Sequence, residues 1–521
     1  MSTKPDIGAD DFERTPDDAY ADDELPVIRI RAGQLHNSAD AAEAVMAPDV
    51  YLRGGALVRL GKAVELPKAL GIVRHDCQSV MVAVNVDYLR RELTRRARFQ
   101  RYDARGKKWF GMDCPTSLAT NIANVAESRH WRPLTAIARA PFLRPDFSVC
   151  ETAGYDAATG IYYEPSQAFP PIPQSPTKEH AQAALNVLRA PFDEFPFAKT
   201  SAAESVFIAH ILTAVVRATL PTSPVLVYSA PSAAHGKTLL CEVASLIATG
   251  NLPAVRPYAS QEEERRKVLL GSLLAGDASL LIDNVPNGAK FRSSVLCAFA
   301  TASVYGDRKL GESDSTSLVN TLLVSVTGNN ITPCGDLARR ALVCRLDINA
   351  ESARGRTFRI ANLKDHVSEH RAELLVAALT IIKAYAVAGA PKIEGVRAIE
   401  SFESWAHAIR DPLVWLGMAD PVETQETETD DEGDALQEAF AAIEALYGTG
   451  EFTAKQITGE MGVVAADLRA ALGAAGCRDA NDANSIGHWL RSNRDRVTGG
   501  FKLINRDDKH KKTAVWRLKE K

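Results

Sequence analysis

The chain has 521 residues, 46% hydrophobic and 24% charged, with a formal net charge of −4, an ordinary balance for a globular protein of about three or four domains. No apolar run approaches about 18 residues, which excludes a membrane-spanning helix, and Met1-Ser-Thr-Lys-Pro-Asp6 lacks the apolar core of a secretory signal. The eight cysteines are scattered with no C-x-x-C pair, which argues against a zinc ribbon or disulfide framework and points to a reducing cytoplasm with most thiols in the core.

Residues 1–25 hold nine acids against Lys4 and Arg14 and are expected to form a disordered, solubilising tail. Residues 26–165 mix short β-like runs (Val27–Arg31, Ala56–Leu60, Val80–Val84) with a helix near 116–127, the pattern of an α+β domain. Its segment Arg90–Phe110 interleaves nine basic residues with Phe99, Tyr102, Trp109 and Phe110. Cations follow phosphates and aromatic faces stack bases, so single-stranded nucleic acid is a candidate ligand, with Arg98, Arg101, Lys107 and Lys108 as contacts. A solvated basic helix whose aromatics sit in the core is the competing reading. Residues 166–200, rich in proline, read as a linker.

The segment 201–420 carries the chemistry. Val225–Tyr228 reads as a buried strand, followed by small residues, Gly236-Lys-Thr238, and a helical pattern through Leu239, Leu240, Val243 and Leu246. Strand, small-residue loop, Gly-Lys-Thr and helix make a phosphate cradle: backbone N–H groups of Ala234, His235, Gly236, Lys237, Thr238 and Leu239 converge on an ATP phosphate chain. The lysine neutralises β/γ charge and the threonine hydroxyl holds Mg²⁺. Pro231 stands where the pattern G-x-x-x-x-G-K-[ST] has its first glycine, so the loop begins differently.

The apolar run Ser279–Ile282 ends in Asp283, a second Mg²⁺-side carboxylate, 46 residues beyond Lys237. A third run, Asn320–Thr327, ends in Gly328-Asn-Asn330, which puts Asn329 where a polar group meets the γ-phosphate or the attacking water. Arg339 and Arg340 follow, a pair placed to reach a neighbouring subunit's nucleotide and stabilise transition-state charge. Arg371, near the start of a long helix expected over 365–389, reads as a surface arginine, with a further phosphate sensor as the alternative, and Trp405 and Trp415 read as core.

Phosphate loop, acid, polar sensor and arginine in this order resemble an AAA+ ATPase, more narrowly the superfamily 3 and MCM-like helicases carried by phages, plasmids and integrative elements. Asp283-Asn284, Asp307–Gly311, Thr327–Asn330, Gly335–Arg340, Phe402–Trp405, Leu413–Gly417 and Gly154–Asp156 carry the likeness. The resemblance covers most of 26–420. It implies a hexameric homo-oligomeric ring that moves on single-stranded and forked DNA, with Mg²⁺-ATP as cofactor and a separate primase or loader as a further partner. It also implies a pore-lining hairpin, for which Arg308 and Lys309 are the candidates; an exposed turn kept soluble by its charges is the alternative. Asn284 occupies the place of the family's catalytic glutamate and can orient water without accepting its proton. A base is therefore sought on the preceding helix, at Glu262, Glu263 or Glu264, with Glu264 as the catalytic candidate; dipole compensation is the competing explanation of those acids.

Residues 421–434 are an acidic linker. The segment 435–521 shows helical patterns at 435–447, 453–461, 464–472 and 485–494, then strands over 501–505 and 513–518, the order of a winged helix. From His488 to Lys521 there are eleven Lys/Arg against four Asp/Glu, so Arg491, Arg494, Lys509, Lys511 and Lys512 are candidate duplex or fork contacts; a protein-binding winged helix with a basic tail is the alternative. The expected fold class is thus α/β: an AAA+ P-loop core between an N-terminal α+β domain and a C-terminal winged helix. The expected function is an ATP-dependent DNA helicase for replication of a mobile element; the alternative is an AAA+ initiator, regulator or defence NTPase that switches on ATP without unwinding.

Overall fold

The computed structural model describes residues 25–62, 78–124, 130–199, 202–232, 235–308, 315–347, 358–425, 431–506 and 514–520. The chain divides into two units: 1–289, 293–331 and 340–425 form the larger, and 290–292, 332–339 and 426–521 the smaller.

In the larger unit five apolar runs form one parallel sheet, in the spatial order Ala254–Pro257, Ser279–Val285, Leu323–Asn329, Val225–Ala230 and Ala341–Arg345. Val225–Ala230 is buried along its whole length, which is why it reads as a continuous apolar run and not as an alternating one. The chain leaves Val225–Ala230 toward one edge of the sheet and leaves Leu323–Asn329 toward the other. These two strands are neighbours, so a crevice opens at their carboxyl ends, where open α/β sheets bind ligands.

The N-terminal part carries a three-stranded sheet (Val27–Ile30, Arg98–Asp103, Lys108–Met112) and a four-stranded one (Ser79–Ala83, Ala56–Lys62, Val50–Arg53, Arg132–Pro133). Helices Leu35–Met46, Val86–Arg96 and Thr116–Asn124 share a core with them that includes Ile28, Met46, Leu93, Phe99 and Ile122. The basic segment 90–110 is not one helix: helix gives way after Arg96 to the antiparallel pair Arg98–Asp103 and Lys108–Met112. The Pro-rich stretch read as a linker contains the helix Lys178–Arg189, capped by Thr177, whose buried Ala181, Leu185 and Leu188 lie on one face. It packs on Arg371–Val387.

The single helix expected over 365–389 is two, Leu363–Glu369 and Arg371–Val387, parted at His370. Arg371 is not a surface residue. It is 3% exposed and its guanidinium donates to the carbonyls of Leu246, Ile247 and Ala248 and to Ser166 Oγ. Those carbonyls end the helix Lys237–Thr249, where four acceptors have no intrahelical partner and a cation is favoured. Trp405 is buried, its indole donating to Thr213, and Trp415 lies half-buried under the Lys178 ammonium.

In the smaller unit the helices Asp431–Tyr447, Ala454–Gly459, Val463–Ala474 and Ala483–Ser492 precede a three-stranded antiparallel sheet of Val497–Thr498, Phe501–Arg506 and Val515–Glu520. Phe440, Ile443, Leu468, Leu472, Trp489 and Trp516 fill its core. Among the described residues seven cysteines are free and buried, and no helix is long and apolar enough to cross a membrane.

Candidate nucleotide cleft

The helix Lys237–Thr249 starts from Gly236, which sits at φ 83 with no side-chain cap. An αL turn lets the loop fold back over the strand end, and the first N–H groups of the helix are left pointing outward at its positive pole. A Cβ on Gly236 would lie 2.7 Å from Cε1 of Phe195. Glycine is therefore needed here for both conformation and space. Ala234 lies outside the described residues; His235, Gly236, Lys237, Thr238 and Leu239 all line a cleft of about 630 Å³ together with Glu242, Asp283, Asn284, Thr327, Asn329 and Lys364.

Lys237 Nζ donates to Asn329 Oδ1 at 2.8 Å and to the Ser232 carbonyl at 2.9 Å. The parallel register that pairs Ala230 with Asn329 brings the Asn329 amide beside the loop. Burial pulls the Lys237 ammonium below its ordinary value, and the nearby Asp283 charge offsets part of that. Thr238 Oγ1 lies 3.5 Å from Asp283 Oδ1, which also accepts from Thr327 Oγ1.

Asp283 owes its aim to a fault in the ladder. Pairing with Leu323–Asn329 shifts register between Ile282 and Val285, and a bulge of this kind turns side chains out of the pleat. Asn284 takes up the bend at φ 64, and its N–H donates to Asp283 Oδ1 at 3.0 Å. Asparagine tolerates αL better than most residues, which gives Asn284 a conformational role in addition to its place on the cleft wall.

Glu264 does not line the cleft. It pairs with Lys267 at 2.7 Å, as Glu263 pairs with Arg266 and Glu262 with Arg265, all at i,i+3 spacing in the first turns of the helix Glu262–Ala275. Glu262 also accepts from Ser293 Oγ and the Val295 N–H. These acids support their own helix start, in line with the dipole explanation. The carboxylate that the sequence reading passed over is Glu242, which faces the cleft and pairs with Lys364 at 2.8 Å. Its position four residues past Thr238 puts it on the same helix face, the signal that could have found it.

Neither Arg339 nor Arg340 lines this cleft. Arg339, at the end of the 3₁₀ turn Gly335–Arg340, pairs with Asp336. A hairpin, Val304–Arg308 with Ser315–Val319, precedes the strand Leu323–Asn329, and Arg308 ends its first arm; Lys309 lies outside the described residues. Arg98 and Arg101 are on a strand of the N-terminal sheet, with Lys107 in the following turn and Lys108 opening the next strand. Arg491 and Arg494 are exposed at the end of the helix Ala483–Ser492, Arg494 lying 3.4 Å from Asp495. Lys509, Lys511 and Lys512 fall outside the described residues.

No family model and no curated protein matches the chain. Among solved structures it is similar to the NrS-1 C terminal region (TM-score 0.34, 12% identity, covering 83% of this chain and 98% of that one). It is also similar to JCV helicase (TM-score 0.20, 13% identity, 51% of this chain and 72% of that one). Likenesses at this level define neither fold nor activity.

Proposed function

We propose that the chain is an AAA+ ATPase that assembles into a ring and drives unwinding of DNA in the replication of a mobile element. The observation that carries this is the convergence of Lys237, Thr238, Asp283 and Asn329 at one crevice of a parallel sheet. A cation, a hydroxyl, a carboxylate and an amide there match the needs of a nucleoside triphosphate and a hard divalent metal.

The donor set fits that cofactor. Thr238 and Asp283 offer only oxygen to the metal, as Mg²⁺ requires, and Mg²⁺ when bound would neutralise charge on the phosphates. The uncapped N–H groups at the start of the helix Lys237–Thr249 would receive phosphate oxygens. Lys237, now donating to Ser232 and Asn329, would transfer its hydrogen bonds to the β/γ-phosphates and leave Asn329 to orient water. Asn284 cannot accept that water's proton, so we assign the acceptor role to Glu242, the cleft-lining carboxylate outside the metal pair. Arg339 and Arg340 would serve the cleft of a neighbouring subunit in a hexamer. The smaller unit, read as a winged helix with Arg491 and Arg494 exposed, would contact duplex or forked DNA, and a separate primase or loader would be a partner.

The test is strand displacement on a forked duplex, with phosphate release followed in parallel, for wild type and Lys237→Ala. Wild type should displace strands and release phosphate, and the variant should do neither. DNA-stimulated hydrolysis without displacement would favour the non-unwinding switch instead, and undiminished activity in Lys237→Ala would sink the ATPase reading itself.

A further inference from the structure

The aromatic residues of the basic segment divide between core and solvent in a way that the cleft does not explain. Phe99 is 1% exposed and packs inward with Ile28. Strand alternation sends their neighbours to the opposite face. There the register sets Arg29 beside Gln100, Gln100 beside Gly111, and Tyr102 beside Trp109. Tyr102 is 47% exposed, and its ring lies 5.3 Å from that of Trp109. The guanidinium groups of Arg29 and Arg31 sit over the Trp109 ring at 5.0 and 5.6 Å.

Two further features suit a ligand. A Cβ built on Gly111 meets nothing within 4 Å, so the sheet face is open between Gln100 and the Trp109 ring. The hairpin turn is held by Asp103, which accepts the N–H groups of Arg105 and Gly106 at 3.0 Å, and it presents Arg105, Lys107 and Lys108 to solvent. On this face the cations are Arg29, Arg31 and Arg98, the hairpin tip adds Arg105 and Lys107, and the only carboxylate across positions 29–31 and 98–112, Asp103, is engaged with backbone. A buried apolar partner would not tolerate so many charges. A polyanion with flat apolar faces satisfies both the cations and the exposed rings.

We propose that this sheet face binds single-stranded DNA, with Tyr102 and Trp109 stacking bases, the gap over Gly111 receiving one of them, and Arg29, Arg31 and the hairpin tip following phosphates. The inference deepens the DNA reading above but needs no nucleotide, so it stands or falls separately from ATP hydrolysis.

The experiment uses the full chain without nucleotide and a fluorescein-labelled oligo-dT of about 20 residues, with anisotropy measured across a salt series. Base–aromatic stacking is worth about 1–3 kcal/mol per base, so Trp109→Ala should weaken binding roughly 5- to 150-fold, with Trp109→Phe retaining most of it. Arg29→Ala with Arg31→Ala should lower the slope of log K against log salt by about 1.4, two phosphate contacts at roughly 0.7 each. Gly111→Ile is the safeguard against misfolding: a β-branched residue favours the exposed strand, yet it fills the gap and should weaken binding. Lys237→Ala should bind oligo-dT normally, and Trp109→Ala should keep wild-type basal phosphate release. Unchanged oligo-dT binding in both Trp109→Ala and Gly111→Ile overturns the proposal, as does a loss in those variants that falls on duplex DNA or on an RNA of the same length and spares oligo-dT.

Discussion

Gly236→Ala tests the phosphate loop at its most constrained point. The native φ of 83 lies in the left-handed region, and the new methyl carbon would stand 2.7 Å from Phe195 Cε1. Left-handed backbone costs a non-glycine residue about 1–2 kcal/mol. Phe195 is half-buried and its ring edge can shift, so the backbone strain is the larger and less avoidable part. If the loop escapes that strain by leaving the cradle conformation, binding loses the same free energy, about 5- to 30-fold in affinity. Calorimetric titration with a non-hydrolysable ATP analogue and Mg²⁺ reads this directly. A double-mutant cycle with Phe195→Ala separates the two causes: the coupling between the substitutions reports the steric contact, and the uncoupled remainder reports φ. Wild-type affinity in Gly236→Ala would refute the assignment of this loop as the phosphate cradle.

Other expected outcomes follow from buried and cleft-lining groups. Glu242→Gln should depress phosphate release while leaving analogue binding within a few-fold of wild type, whereas Glu264→Gln should change neither; the reverse pattern would restore the acidic helix start as the source of the base. Arg371→Leu should destabilise the larger unit by about 2–5 kcal/mol, because the Ile247 and Ala248 carbonyls lose their donor while Leu246 keeps the N–H of Gly250. An unchanged thermal midpoint would contradict it. Burial holds His210 at about 3, below its ordinary 6.5, with its ring nitrogens on Tyr228 Oη and Ser325 Oγ. The unfolded chain therefore takes up a proton first, and stability falls as pH drops from about 6.5 toward 3, by about 1.6 kcal/mol between pH 6.5 and 5. Denaturant titrations at those two pH values should show that difference shrinking in His210→Gln.

Much of the molecule could be read along the chain because its signals are local. Val225–Ala230, Ser279–Val285 and Leu323–Asn329 are recognisable as buried strands by apolar continuity alone, and Lys237, Thr238, Asp283 and Asn329 stand at fixed short offsets from those strand ends. The hairpin before Leu323–Asn329 is implied by the family likeness of the motifs around it, and the helices of 431–492 are announced by their apolar period. What the chain order does not carry is which distant groups share a space. Glu242 and Lys364 look like ordinary surface charges until the fold lays both on one wall, and Glu264 looks catalytic until Lys267 is seen to hold it on its own helix. Arg371 looks exposed because its role is to satisfy carbonyls more than 120 residues away. Basic charge and aromatic content marked 90–110, but only strand alternation and the pairing of Arg98–Asp103 with both neighbours decided that Phe99 is core while Tyr102 and Trp109 share a face with Arg29. Local periodicity writes elements into the sequence; burial and long-range pairing, which depend on where those elements meet, belong to the tertiary structure.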